Sequence, residues 1–332
     1  MRAPAVQAAH HRVHEILDHI RLDPTLRGAS VGSQRIEAAN VRELRAKLIN
    51  AIYAELHAGA APPDGSALRP RSLRDEGLEA GLTAVVPHAT SPAEGVVLAI
   101  LGDGLAVRLS GVSVRLPAHT VRDGAVPEPG AELTFDLPAV RLALSPGFLM
   151  VDGPHGHEDR GGAIGRVFVH VTGPEHAPEV WGRVVRALNE LGIGYRAKVL
   201  SDPRAYPRRD AVVVYHGAAD AGVPAAVADA VAGAAGVGDQ CSLFTSRLAA
   251  GVSAADDPAD TRVGMRGLSF GQHRATVVTS ALLQHATEGG SVDEVVVTYL
   301  LEAGIDPAEP AFNLTGTAAG RRPHSTDPRG ER

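Results

Sequence analysis

One cysteine in 332 residues, Cys241, leaves no intramolecular disulfide and no cysteine-based zinc site. Aromatic residues are scarce, at 4%. Single-stranded nucleic acid is held on aromatic platforms set among basic side chains, and that pattern is missing here. A formal charge of −6 also argues against a nucleic-acid partner. The N-terminus, MRAPAVQAAHH, has no apolar core of the kind a secretory signal needs. The nearest approach to a membrane span, Ala221 to Gly238, carries Asp229 and is mostly Ala and Gly, so it reads as a buried or surface helix. No Walker loop, nucleophile elbow or kinase catalytic-loop pattern occurs. These absences fit a protein of the reducing cytoplasm with no nucleotide, metal or other cofactor.

What is present is a hydrophobic fraction of 44%, rich in Ala, Val and Leu, which is ample for one large domain or two modest ones. Val13, Ile16, Leu17 and Ile20 recur with helical spacing. A second helix starts near Asn40, an N-cap with Glu43 three residues on, and Leu44, Leu48, Ile52 and Leu56 form its stripe. Ala60 to Pro70 reads as a linker. The period then shortens: Leu82–Val86, Gly95–Ile100, Leu105–Leu109 and Val112–Leu116 read as strands of a hairpin-rich region, with Leu133–Leu137 and Phe148–Val151 extending it. Arg166 opens a strand and Val180 to Leu191 a helix that stops at Gly192. Two further strands follow, the last being Ala211–Tyr215. Pro224–Ala232, Gln272–Glu288 and Asp293–Ala303 read as helices, and the polar segment from Gly316 onward as a disordered tail.

The class is α+β, divided as N-terminal helices (1–60), a β-rich region (70–151), a mixed α/β part (163–313) and a tail (314–332). Positive charge is concentrated in one place. Five cations lie between Arg196 and Arg209, namely Arg196, Lys198, Arg204, Arg208 and Arg209, with Asp202 the one acid among them. A window so basic in an acidic chain points to a site for a small, doubly charged anion such as a phosphoryl group. His155, His157, Glu158 and Asp159 resemble a metal cluster by residue type, but their Gly-rich loop reads as exposed decoration.

Several segments together resemble one family: LSPGF at Leu144–Phe148, RVFVHV at Arg166–Val171, YRAKVLSDPRAYPRRDAVVVY at Tyr195–Tyr215, SLFTSRLAAGV at Ser242–Val252 and LSFGQHRA at Leu268–Ala275. They look like the Hop A type effector domain, which also resembles the lyase component of class V lanthipeptide biosynthesis. A more distant resemblance is to phosphothreonine lyase effectors, through Arg166-x-Phe168-x-His170, Lys198 and Val214-Tyr215 in the same order. The resemblance implies a lyase-like α/β part and elimination of phosphate from phosphoserine or phosphothreonine in a precursor peptide. It also implies a partner kinase that adds the phosphate and a cyclase that adds cysteine thiols to the products.

Such an elimination needs a base for the α-proton, an acid for the leaving phosphate and a seat for the anion. Lys198 is the expected base, provided burial or neighbouring cations make its amine available unprotonated. His170, which shares a strand face with Arg166 and Phe168, is the expected acid. His273 is its rival, His216 stands third, and Tyr215 either bonds the substrate or packs. Arg208 or Arg209 is expected to bind phosphate by its planar fork, parity leaving the face open, with Arg166, Arg247 and Arg274 as further contacts. Two other readings stand beside the lyase: a module that grips a phosphorylated or acidic partner segment without chemistry, and a hydrolase that returns free serine or threonine.

Overall fold

The computed structural model describes residues 11–59, 74–157 and 162–314. The chain opens with helix α1 (residues 11–17), then the short strands β1 (Ile20–Leu22), β2 (Gly28–Val31) and β3 (Gln34–Glu37). Helix α2 (Val41–Ile52) continues into a π-helical turn, Tyr53–Ala58, that stops at Gly59 in the left-handed region (φ 72°). After α3 (Glu76–Ala84) come β4 (Thr90–Leu101), β5 (Gly104–Leu109), β6 (Val112–Pro117) and β7 (Glu132–Pro138). β8 (Val140–Ser145), β9 (Phe148–Asp152), β10 (Ile164–Val171), α4 (Ala177–Glu190), β11 (Tyr195–Leu200) and β12 (Arg208–Gly217) follow. The described chain finishes with α5 (Val223–Val231), β13 (Ser246–Ala249), β14 (Val252–Asp256), α6 (Phe270–Glu288) and α7 (Val292–Glu302).

Every strand pairing is antiparallel. The largest sheet has seven strands in the order β13-β14-β10-β12-β11-β9-β8. One of its faces is dry. Val167, Val169, Ala197, Val199, Val212 and Val214 pack there against Val180, Trp181, Val184 and Leu188 of α4 and Val227 of α5, all fully buried. The other face packs Phe168, Val213 and Ala255 under α2 and α6, against Leu48, Ile52 and Phe270. The sheet β6-β5-β4-β7 has a separate small core around Val97, Val107 and Phe135.

Local sequence explains most of these elements. Asn40 caps α2 by accepting the Glu43 amide at 3.0 Å, and Glu43 reaches back to the Ala39 amide at 2.8 Å. Ser269 and Gln272 form the reciprocal capping box that starts α6. Gly192, at φ 66°, stops α4 as its pattern requires.

Three local expectations fail. Leu82–Val86 is not a strand: α3 runs to Ala84, started by Asp75, whose side chain accepts the Leu78 amide at 2.8 Å. Ile20 does not extend the first helix but opens β1. A three-stranded sheet, β1-β2-β3, therefore interrupts the N-terminal helices. β8 and β9, read with the β-rich region, are edge and next-to-edge strands of the seven-stranded sheet. No described helix is long and apolar enough to cross a membrane. The linker and tail readings, and Glu158 and Asp159 of the proposed metal-type cluster, lie outside the described residues; among the described residues no acid, His and Cys grouping could hold a metal ion.

Candidate active site

Strand alternation sorts the basic segment by face. On the face that α2 and α6 partly cover, Asp152, Arg196, Tyr215 and Arg166 form one row across β9, β11, β12 and β10. Met150, Lys198, Val213 and Phe168 form the next. β12 then departs from strict alternation. Val169 pairs with Val212, but Val171 pairs with Arg208, so the register shifts between them. Ala211 and Val212 both join the dry core, while Asp210 turns to the charged face.

Acids hold the arginines of this face in place. Asp152 accepts from Arg196 at 2.6 and 3.1 Å and lies 3.3 Å from Arg141 and 3.5 Å from His157. Asp257 binds Arg166, whose guanidinium stacks over Tyr215 at 4.8 Å. Asp210 takes the fork of Arg208 at 2.7 and 2.8 Å. Lys198 differs: it is half-buried, and among the described residues it has no ion-pair partner. Its Nζ lies 4.2 Å from the centre of the Phe148 ring and 6.0 Å from that of Tyr215. Arg208 shares the Phe148 ring at 5.7 Å, so Lys198 sits between two arginines with an aromatic ring on each side. Beside this row opens a pocket of about 270 Å³ whose walls include Arg166, Arg196, Tyr215 and His216.

Sequence reasoning missed the roof of this site. Tyr53 and His57 descend from the π-helical turn, an irregularity that recurs at functional sites. The Arg208 guanidinium donates to the Tyr53 hydroxyl at 2.7 Å, and that hydroxyl lies 3.3 Å from Asp210. His57 Nε2 faces Asp210 at 3.6 Å, and its Nδ1 is 2.9 Å from the Ser242 hydroxyl. Burial, with the cations Arg208, Arg166 and Lys198 adding to it, lowers the His57 imidazole to about 4. Burial alone would raise the Asp210 carboxyl, but Arg208 outweighs it, helped by His57 and Lys198, and holds it far below the usual range. Asp210 is thus a buried carboxylate that stays charged and orients Arg208. The legible signal was Tyr53 and His57 four apart near the end of an apolar helix.

The remaining expected residues scatter. Arg209 turns away, to Gln240 at 2.9 and 3.2 Å and the Glu55 carbonyl at 2.9 Å. His170 accepts the Gln240 amide at 3.3 Å and its ring lies against Gly238. Burial and then Arg209 lower its proton affinity. His273 is completely buried, with Nδ1 accepting from Arg274 at 2.8 Å and Nε2 facing Asp260 at 3.1 Å. Burial and Arg274 bring it to about 4. Arg274 is itself fully buried, stacked on Phe270 at 4.6 Å and bonded to the Pro310 carbonyl. Burial, reinforced by Arg166, brings it down to about 9. Arg247 is exposed on the edge strand β13. The structure therefore gathers Lys198, Tyr215, Arg166 and Arg208 on one face of the sheet, with Arg166 and Tyr215 lining the pocket, and places His170, His273, Arg209, Arg247 and Arg274 elsewhere.

The sequence profile of the HopA1 effector protein family matches residues 139–312, more than half of the chain. The chain belongs to that family. No curated protein sequence matches it. The HopA1 fold is shared with the effector protein from Pseudomonas syringae pv. tomato strain DC3000. That structure superposes at a TM-score of 0.50 and 16% identity, covering 92% of this chain and 99% of the other. The effector protein from Pseudomonas syringae pv. syringae strain 61 gives 0.48 and 13%, covering 93% and 97%. At 16% identity the first of these likenesses is one of fold alone. The HopA1 match takes in Lys198, Arg166, Arg208 and Tyr215, whereas Tyr53 and His57 come from outside it.

Proposed function

We propose that this protein eliminates phosphate from phosphoserine or phosphothreonine in a precursor peptide, leaving dehydroalanine or dehydrobutyrine. The observation that carries the reading is Lys198, half-buried and with no ion-pair contact among the described residues, placed between the tethered guanidinium groups of Arg166 and Arg208. A neutral amine there takes the α-proton. The electron pair forms the Cα–Cβ double bond, the Cβ–O bond breaks, and phosphate departs with the bridging oxygen. Arg166, Arg196 and Arg208 supply charge for that anion, already oriented and with little entropy left to lose. The peptide comes phosphorylated from a partner kinase, and a cyclase closes thioether rings on the product, as in lanthipeptide assembly in the cytoplasm.

A phosphorylated precursor peptide incubated with the protein should release inorganic phosphate and lose the mass of phosphoric acid. A product that regains water is the mark of a hydrolase. The second reading is a module that binds such a segment without chemistry; His170 and His273 lying away from Lys198 is the observation in its favour. Tight binding with an unchanged peptide mass after hours would replace the lyase reading with it.

A further inference from the structure

Arg166, Arg196 and Arg208 each meet a carboxylate, of Asp257, Asp152 and Asp210 respectively. Lys198 meets a ring. Its Nζ lies 4.2 Å from the centre of Phe148, within the range at which a ring face attracts a cation. The segment that presents this ring, Leu144–Phe148, takes no part in the elimination as described above. β8 leaves strict register between Arg141 and Ser145, ahead of the turn. Gly147 then turns the chain at φ 76°, a conformation that favours glycine. Its carbonyl accepts the Ser201 amide at 2.8 Å, which ties the turn to the end of β11. Phe148 pairs with Leu200, two residues beyond Lys198 on the same strand.

A carboxylate in place of that ring would work against the chemistry twice. It would favour the ammonium, the form that cannot take a proton, and it would repel an arriving phosphate. A ring face attracts the ammonium by about 0.5–2 kcal/mol and carries no net charge. It can therefore orient the amine without committing it to one protonation state.

We infer that Phe148 is a positioning residue: its ring holds Lys198 between Arg166 and Arg208 in place of an acid, and so leaves the amine free to lose its proton. This rests on the elimination reading above. The surrounding charges agree with it. Arg166, Arg208 and Arg141 approach the amine from β10, β12 and β8, the last through the row that runs by Met150. Asp210 and Asp152 are committed to the forks of Arg208 and Arg196, and His57 reaches in from the π-helical turn toward Asp210.

The test puts the carboxylate back. Phe148→Glu and Phe148→Gln share a shape and differ in charge. Near neutral pH the glutamate variant should release phosphate from a phosphothreonine peptide about tenfold or more slowly than the glutamine variant, and the gap should narrow in alkaline solution. Phe148→Leu keeps bulk but loses the ring face. It should lower kcat by about tenfold or more with KM little changed, as a misplaced base does. Phe148→Tyr restores the face and should stay within about threefold of the unaltered protein. A second readout needs no turnover. Acetic anhydride acylates only the uncharged amine, and peptide mass reports the rate at Lys198, which should be about tenfold or more slower in the glutamate than in the glutamine variant. Unfolding midpoints check that the fold is kept; should Phe148→Glu not fold, the tyrosine and leucine variants decide alone. Equal acylation of the glutamate and glutamine variants at every pH, or a tyrosine variant no better than leucine, overturns the role and leaves the lyase reading intact. An unaltered protein that eliminates nothing removes the lyase reading, while acylation still decides how Lys198 is held.

Discussion

The two faces of the seven-stranded sheet are built from the same strands and do opposite things. Toward α4 and α5 the strands bury a continuous layer of Val, Ala and Leu with Tyr195. Toward α2 and α6 alternate residues of the same strands are Arg166, Arg196, Lys198 and Arg208, each arginine with its own aspartate. A dry face can carry the cost of folding while the other holds groups that would destabilise a core. The period of two lets one strand supply both, Lys198 lying between Ala197 and Val199.

If that division holds, substitutions on the two faces separate activity from stability. The largest effect should come from Lys198→Ala, which should cut phosphate release by 10²–10⁴-fold or more, as loss of a general base does, while moving the unfolding midpoint little. Near-normal turnover in that variant would end the base assignment. Trp181→Ala, on the dry face, should do the reverse. It empties the largest fully buried side chain and should cost about 3–5 kcal/mol in denaturant unfolding, with the remaining folded protein still active.

Acidity gives an intermediate effect. His57 and His273 fall to about 4 in the folded chain from an ordinary 6.5. Below pH 6.5 the unfolded chain binds these protons first. Their contribution is therefore complete above 6.5, drains away between 6.5 and 4, and loses nothing more below that. The loss should reach at most about 3 kcal/mol for each histidine. It is measured as unfolding midpoints across that range, and His57→Gln should flatten the curve. The smallest effect should be Arg209→Ala, under about threefold in rate, because its guanidinium is turned to Gln240 and the Glu55 carbonyl and gives the site only weak screened charge. Arg208→Ala, which strands the Asp210 carboxylate in the interior, should cost far more in both rate and stability.

Much of this was legible. The run from Arg166 to Tyr215 reads as strand, helix, strand, loop, strand because its apolar periods are clean and Gly192 marks the stop. Arg166 and Phe168 share a face by parity alone, whereas Lys198 joins that face only through the register of β11 on β12 and of β12 on β10. Arg208 could not be told from Arg209, because the register shift between Val169 and Val171 breaks parity where it was needed. His57 drew no expectation from the sequence; its burial comes from Phe168, Phe270 and Ser242, residues more than a hundred positions away. LTAVV read as a strand since five residues cannot distinguish a buried strand from the end of a helix. His170 shares parity with Phe168, yet the same register shift leaves it facing the 238–240 loop.

The π-helical turn has a consequence for how the molecule can be divided. A fragment cut to residues 139–312 keeps every strand of the large sheet, and so looks self-sufficient. It would nonetheless expose Phe168 and Val213 to water, and leave Arg208 and Asp210 without the hydroxyl and imidazole that roof them. The working unit is therefore a partnership between the matched stretch and a helix more than eighty residues upstream, and neither should be expected to hold phosphate by itself.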